Sequence, residues 1–343
     1  MGRRTGLLAF CNSGGLGIQT KRLYDMLKPE KVMIIDSRRF SQNKEMNWDW
    51  YPEDSMVTDG FPRNCDINKW LVGLDSVLTV ENPYNFYLVH ACKEMGIKLF
   101  VQTNYEFCEN VFAPHLPVPD MFLMPSYWKL EEMKKMFPGR VMYLPPPIDP
   151  KEFEEVFEIN GTMLGQTRFL HIVGTLAAGD RNGTLDLLKA VKLSKEDYSL
   201  TIHSQHELPK EYLSDDPRIE YRIVNFDNNA DLYMNFDALI LPRRYGGLSL
   251  TTNEALMSGM PVMMTDISPN NELLPWEWLV PATKKEQIQA RMLVDCYSAD
   301  AQSMANKIDD WTRTPPSYGK ARGIGVDNFS ADVLEPKYAS VIY

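Results

Sequence analysis

Short apolar runs alternate with longer stretches of helical spacing, twice over, and a run of prolines interrupts the series once. That alternation is the mark of β-α-β units with a mostly parallel sheet, and it excludes helical bundles and antiparallel sandwiches. In the first half, strands are expected at about Thr5–Cys11, Lys31–Asp36, Ser76–Val80, Lys98–Gln102 and Met121–Pro125, with helices around Gln19–Leu27 and Tyr84–Met95. The segment Leu144-Pro145-Pro146-Pro147-Ile148-Asp149-Pro150 can continue neither element and reads as a stiff connector. Beyond it, strands are expected near Arg168–Val173, Ser199–His203, Ile219–Val224, Ala238–Leu241 and Pro261–Thr265, and helices near Thr184–Leu193, Ala230–Phe236 and Thr251–Ser258. Lys284 to Asp310 reads as helical, Thr314-Pro315-Pro316 breaks it, and a last segment runs from Asn328 to Tyr343. The predicted fold class is α/β, with two Rossmann-like doubly wound domains over residues 1–150 and 151–327 and a C-terminal segment, 328–343, returning to the first. A chain of 343 residues fits two domains of roughly 150 each.

The formal net charge is −10, which argues against coating nucleic acid or an anionic membrane by bulk attraction. The acidity is uneven: residues 1–150 hold 17 basic and 18 acidic side chains, residues 151–343 hold 19 and 28. Five cysteines without a Cys-x-x-Cys pair suggest neither a disulfide framework nor a zinc ribbon, and favour a reducing compartment. The apolar stretch from Gly6 to Cys11 is shorter than the roughly 7–15 residues of a signal-peptide core, and no run approaches the roughly 18 apolar residues of a membrane-spanning helix. A cytoplasmic protein with no membrane span is the expectation. Oligomeric state is not set by these features.

Two glycine loops carry chemistry. Ser13-Gly14-Gly15-Leu16-Gly17 follows the first strand and opens a helix, so backbone N–H groups there can approach an anion or a sugar closely. Gly15-Leu16-Gly17-Ile18-Gln19-Thr20 is nearly the dinucleotide fingerprint, and Asp36 stands about 20 residues on, where a ribose-binding acid would sit. An NADP-linked oxidoreductase using Gly15, Gly17 and Arg38 is therefore one reading. Thr20 at the third glycine position counts against it. The second loop is Leu241-Pro242-Arg243-Arg244-Tyr245-Gly246-Gly247-Leu248-Ser249-Leu250-Thr251-Thr252-Asn253-Glu254-Ala255-Leu256-Met257-Ser258-Gly259-Met260-Pro261-Val262. It reads as a strand, a flexible turn, a helix starting near Ser249 and a restart into the next strand, placing N–H groups and a helix dipole at a strand's C-terminal end.

This second segment resembles the donor-site signature of GT-B glycosyltransferases of the retaining, glycogen-synthase-like class, Pro-Ser-x-Tyr-Glu-Gly-Phe-Gly-Leu-x-x-x-Glu-Ala-x-x-x-Gly-x-Pro-Val. Glu254, Ala255, Gly259, Pro261 and Val262 coincide with it without a gap. The resemblance implies two Rossmann-like domains facing a cleft, with a nucleotide diphosphate sugar as donor substrate and no further cofactor. It gives Glu254 the ribose hydroxyls, and it gives Gly246, Gly247, Leu248, Ser249 and Leu250, with Gly15 of the first loop, the donor's phosphates and sugar. The first glutamate of the family's Glu-x7-Glu pair is replaced here by Gly246, and Leu248-Ser249 replaces Phe-Gly. Ile172-Val173-Gly174-Thr175-Leu176 resembles a Val-Gly-Arg-Leu strand end, with Thr175 in place of a phosphate-binding arginine. Arg181, in Asp180-Arg181-Asn182-Gly183, is then the candidate cation for phosphate and for catalysis, with Arg243 and Arg244 beside the donor turn as further donor residues; an arginine fork suits a diphosphate. Glu272 matches the acidic helix start after the next strand, and Glu106 stands where many members carry a carboxylate, as a second catalytic candidate.

The acceptor half holds Gly14, Asn104 and Tyr105 near strand ends, and the basic pairs Arg3-Arg4, Lys21-Arg22 and Arg38-Arg39 with Lys44. These point to an anionic acceptor. The compact length and unusual motif resemble phage-type enzymes, which implies a hydroxymethylated DNA base as one acceptor, the phosphates being met by the basic pairs. Lipid, glycan, protein and small-molecule acceptors stay open, as does a non-catalytic sugar-nucleotide-binding protein, motivated by Gly246. No metal is expected: Asp-x-Asp is absent, and His203-Ser204-Gln205-His206 has no third ligand nearby. The reading is a metal-independent transfer with retention at the anomeric carbon, stabilised by arginines and backbone dipoles.

Overall fold

A computed structural model of the chain describes residues 4–39, 45–108, 117–160, 165–174, 176, 179–226 and 228–343. Among these, two compact units are present. Unit 1 comprises residues up to Pro147 together with Ala290–Met292 and Ala331–Tyr343; unit 2 comprises Ile148–Gln289 and Leu293–Ser330. Arg3, Lys44 and Thr175, named above, lie outside the described residues.

Unit 1 is built on seven parallel strands: β1 (Thr5–Ala9), β2 (Lys31–Ile35), β3 (Met56–Thr58), β4 (Ser76–Val80), β5 (Lys98–Gln102), β6 (Met121–Met124) and β7 (Val141–Tyr143), in the order β3-β2-β1-β4-β5-β6-β7. Both faces are covered, as a parallel sheet requires. Leu8, Phe10, Met33 and Ile35 point into one core with Trp70 and Leu88, whereas Leu7, Ala9, Val32 and Ile34 point into another with Leu23. That second core includes Leu334, Tyr338 and Ile342 of the last helix, Ala331–Ile342. A buried polar chain fastens the helix: Gln102 Nε2 donates to Leu144 O (2.7 Å) and bonds the Tyr338 hydroxyl (2.6 Å), which reaches Pro145 O (2.9 Å).

Unit 2 repeats the winding with β8 (Arg168–Ile172), β9 (Ser199–Ser204), β10 (Ile219–Ile223), β11 (Ala238–Leu241), β12 (Val262–Thr265) and β13 (Leu279–Val280), all parallel, in the order β10-β9-β8-β11-β12-β13. An antiparallel hairpin, β14 (Ala282–Gln289) with β15 (Leu293–Ala299), follows. This corrects the expected helix over residues 284–310, of which the helix proper is Ala301–Arg313, capped by the Asp300 carboxylate accepting from Ser303 N (2.7 Å). The first strand of the hairpin, rich in Lys, Glu and Gln, is exposed along most of its length and shows no alternation to read; on its partner, Val294 and Cys296 are buried two residues apart. The helix expected at 230–236 is a single 3-10 stretch, Asn229–Tyr233, and the one expected from Tyr84 begins at Tyr87.

His171 ties the centre of unit 2 together. Its Nδ1 bonds Ile240 O of β11 (2.8 Å) and its Nε2 bonds Thr184 Oγ1 at the start of the Thr184–Leu193 helix (2.9 Å). Complete burial pushes its pKa from the usual 6.5 down to about 4. The folded chain thus refuses a proton that the unfolded chain accepts, so stability is fully present above about pH 6.5 and is lost as pH falls towards 4, by about 2 kcal/mol at pH 5. Urea midpoints compared at pH 7 and pH 5 are expected to show this loss in the native chain and to show a smaller one in His171→Gln.

Candidate functional site

In each sheet the winding reverses beside the first strand, between β1 and β4 and between β8 and β11. The loops leaving those strand ends diverge there, and ligands of open α/β sheets bind in the crevice so formed.

In unit 2 the loop after β8 and the loop after β11 flank the reversal. Gly183 takes φ +75°, and a Cβ on it would fall 2.1 Å from Pro242 O, so the two loops touch through backbone. Asp180 closes the first turn of the Thr184–Leu193 helix, its carboxylate accepting from Thr184 N (2.8 Å) and Leu185 N (3.0 Å). Arg181 follows, its guanidinium over the Tyr245 ring at 5.1 Å and its carbonyl accepting from Arg244 N (2.9 Å). Gly246, at φ +106°, lies directly against it: an added Cβ would stand 2.2 Å from an Arg181 terminal nitrogen. Where the resembled signature has a glutamate, this chain therefore places an arginine from the neighbouring loop, and the glycine makes the room.

The rest of the turn is held from below. Arg243, nearly fully buried, donates to Leu248 O (3.1 Å), and Thr265 Oγ1 at the end of β12 donates to Arg243 O. Ser249 caps the Leu250–Met257 helix, accepting from Thr252 N (3.3 Å). Glu254 is buried within that helix, one carboxylate oxygen accepting from the Tyr233 hydroxyl at 2.6 Å. Arg244 turns towards the hairpin instead, bonding Tyr297 O (3.1 Å), Gly179 O (3.1 Å) and the Glu286 carboxylate (2.9 Å). Glu272 accepts from Ser268 Oγ (3.0 Å). His203 Nε2 bonds Val224 O (2.8 Å), and burial lowers its pKa.

In unit 1 the reversal holds a cavity of about 450 Å³, lined by Gly14, Gly15 and Asn12 of the first loop and by Glu81, Asn82, Tyr84 and Phe86 of the loop after β4, with Phe10, Leu16, Ser37, Phe61 and Arg291. Gly17 is needed for the turn itself, since a Cβ there would meet Asn12 O at 1.8 Å. Thr20, at the fingerprint's third glycine position, uses its hydroxyl inside the turn, donating towards Phe10 O (3.0 Å) and Leu16 O (2.9 Å). Of the residues expected to bind an acceptor, Gly14 lines the cavity. The basic ones are engaged: Lys21 pairs with Asp25, Arg38 with Asp36 (2.6 Å) and Arg39 with Asp59 (2.6 Å), and Arg22 is buried. The Arg38 guanidinium holds the Asp36 carboxyl below its usual range. Asn104 O accepts from Phe107 N (3.0 Å), Tyr105 meets Trp128 edge to face at 5.6 Å, and Glu106 is buried with its carbonyl accepting from Arg291 N (3.1 Å). Glu81, Tyr84, Phe61, Phe86 and Arg291 have no counterpart among the sequence-predicted residues; the one signal was Glu81-Asn82-Pro83 directly after a strand.

Residues 167–309, which include all of the unit 2 crevice, match the family model for glycosyl transferases group 1. That stretch is similar to group 1 glycosyl transferases, and the two parallel-sheet units have the GT-B fold of solved glycosyltransferases. The glycosyltransferase from Rickettsia africae ESF-5 superposes at a TM-score of 0.69 with 14% identity, covering 100% of this chain and 98% of its own. Sucrose-phosphate synthase from Thermosynechococcus elongatus gives 0.66 and 13%, covering 98% and 97%. HepE of Anabaena, in complex with UDP and glucose, gives 0.64 and 12%, covering 98% of both chains. No curated protein matches the sequence. Among the described residues no helix is long and apolar enough to cross a membrane.

The Gly246 contact predicts a contrast between two glycines. Gly246→Ala is expected to lower unfolding free energy by about 1–2 kcal/mol through its positive φ and the displacement of Arg181. Gly323→Ala, in the Tyr318–Phe329 helix with open space around its Cβ, is expected to be neutral or stabilising by up to about 1 kcal/mol. Denaturant unfolding of both variants checks the difference.

Proposed function

We propose that the chain is a glycosyltransferase that binds a nucleotide diphosphate sugar at the winding reversal of unit 2 and transfers the sugar with retention, without a metal ion. The observation that carries this reading is the close contact of the Arg181 loop with the loop after β11 that holds Pro242 and Gly246, at the winding reversal and inside the stretch that matches glycosyl transferases group 1. Arg181 supplies the cation for the leaving diphosphate, and the Leu250–Met257 helix adds its N-terminal dipole and amides. Glu254, fixed in rotamer by the Tyr233 hydroxyl, presents carboxylate acceptors of the kind that hold two adjacent ribose hydroxyls. Arg243 supports the turn from inside, and Arg244 anchors it to the β14–β15 hairpin. Glu106, buried beside β5, is proposed to set its own turn.

With retention, departure of the diphosphate and attack by the acceptor occur on one face of the sugar, so positioning and electrostatics carry the rate. HepE binds UDP, which makes UDP the first nucleotide to test, with GDP and ADP beside it. Glu254→Ala is expected to weaken the bound nucleotide diphosphate by about 10- to 100-fold, the worth of one or two charge-assisted hydrogen bonds, with the melting curve retained. Arg181→Ala is expected to weaken UDP while leaving uridine affinity within twofold. Calorimetry on both variants decides: unchanged UDP affinity in Glu254→Ala removes it from the site, and equal losses for UDP and uridine remove Arg181 from the phosphates.

A further inference from the structure

The cavity of unit 1 opens at the N-terminus of the Gly15–Leu27 helix, and most of the rest of its lining is aromatic or neutral. Phe10 and Tyr84 meet edge to face at 5.2 Å, and Phe61 stacks on Tyr84 at 5.8 Å with 28° between the planes. Phe61 is 55% exposed, a large ring left at the rim. The charged side chains in the lining are one carboxylate, Glu81, and one guanidinium, Arg291. Burial and then the Glu81 charge push the Tyr84 phenol above its usual range while Arg291 opposes them, so the three share one electrostatic neighbourhood.

The loop that aims these groups is strained. Glu81 and Tyr84 take φ +68° and +57°, the left-handed region that L-residues rarely adopt. Both are pinned: Glu81 N donates to Gln102 O (2.6 Å), Thr103 Oγ1 donates to Glu81 O (2.9 Å), and Tyr84 N donates to Asn82 Oδ1 (2.7 Å). Strain of this kind persists where surrounding structure over-determines it, and it gathers at ligand-binding positions.

We propose that this cavity binds an uncharged sugar ring, and hence, given the glycosyltransferase reading above on which this identification rests, that the acceptor is a neutral glycan. The apolar C–H face of a pyranose packs on an aromatic platform, while its hydroxyls donate to a carboxylate and accept from amide or guanidinium N–H. Glu81, Asn82 and Arg291 supply those partners around Tyr84 and Phe61. A volume of about 450 Å³ falls within the roughly 300–1,000 Å³ of small-molecule sites. A DNA acceptor would need phosphate-facing cations, and Lys21, Arg38 and Arg39 already pair with Asp25, Asp36 and Asp59.

The test uses the full chain and saturation-transfer NMR with maltose, lactose and cellobiose as neutral probes, glucose 6-phosphate and a hydroxymethylcytosine oligonucleotide as charged ones, and UDP calorimetry in parallel. At least one neutral disaccharide is expected to bind, and Tyr84→Ala and Phe61→Ala are expected to weaken it at least tenfold while UDP affinity stays within twofold. Phe61, exposed at the rim, keeps the test readable if Tyr84→Ala melts early. Binding of the charged probes alone, binding of no disaccharide, or unchanged disaccharide binding in Phe61→Ala would overturn the proposal. Absence of binding by UDP, GDP and ADP alike in the native chain would instead strike the transferase reading and leave the ring site standing.

Discussion

Each unit depends on backbone passing backbone at the C-terminal ends of its central strands. Gly17 lies against Asn12 O in unit 1, and Gly183 lies against Pro242 O in unit 2, at separations no Cβ survives. Because the winding reverses there, the strand-end loops diverge above the contact and open a crevice. The glycines therefore do more than permit a turn: in unit 2 the Gly183 contact ties the loop that carries Arg181 to the loop after β11, and in unit 1 the Gly17 contact sets the loop that lines the cavity with Glu81 and Tyr84.

Within unit 2 the arginines divide their labour according to burial and neighbours. Arg243 is enclosed and holds Leu248 O; Arg244 is drawn to Glu286 and to carbonyls of the hairpin and the Gly179 turn; Arg181 lies over Tyr245 in the space that Gly246 leaves. Adjacent residues of one chemical type thus have different tasks. At position 246 the glycine leaves room for a guanidinium arriving from another loop, a contact between segments 65 residues apart in sequence.

Much of the architecture was legible beforehand. In unit 1, Leu7 and Ala9 alternate with Leu8 and Phe10 across a doubly covered sheet, so the strands read as continuous apolar runs. The Ser249 cap and the helix carrying Glu254 were equally plain, because local hydrogen bonding dictates them. The hairpin at 282–299 was not legible: Lys284, Lys285, Glu286 and Gln287 favour a helix by propensity, and only pairing with β15 makes them a strand. The short edge strands β3, β7 and β13 were not legible either, having two or three residues each and a partner on one side. The cavity around Tyr84 was hidden because Tyr84 reads as the first residue of a helix, whereas its φ of +57° places it in a loop.

The sequence by itself determined two parallel α/β units, the position of each glycine turn and the strand-turn-helix segment from Leu241 to Val262, since these follow from periodicity, from caps and from spacing along one stretch of chain. Tertiary structure alone decided which charged groups stand in the crevices. Whether Arg39 faces a ligand or an aspartate, and whether Phe10, Phe61 and Tyr84 meet, depends on side chains brought together from separate segments, whereas Lys21 and Arg38 pair locally, with Asp25 and Asp36. Electrostatic and aromatic contacts fall off over a few ångströms, and sequence distance carries no information at that scale.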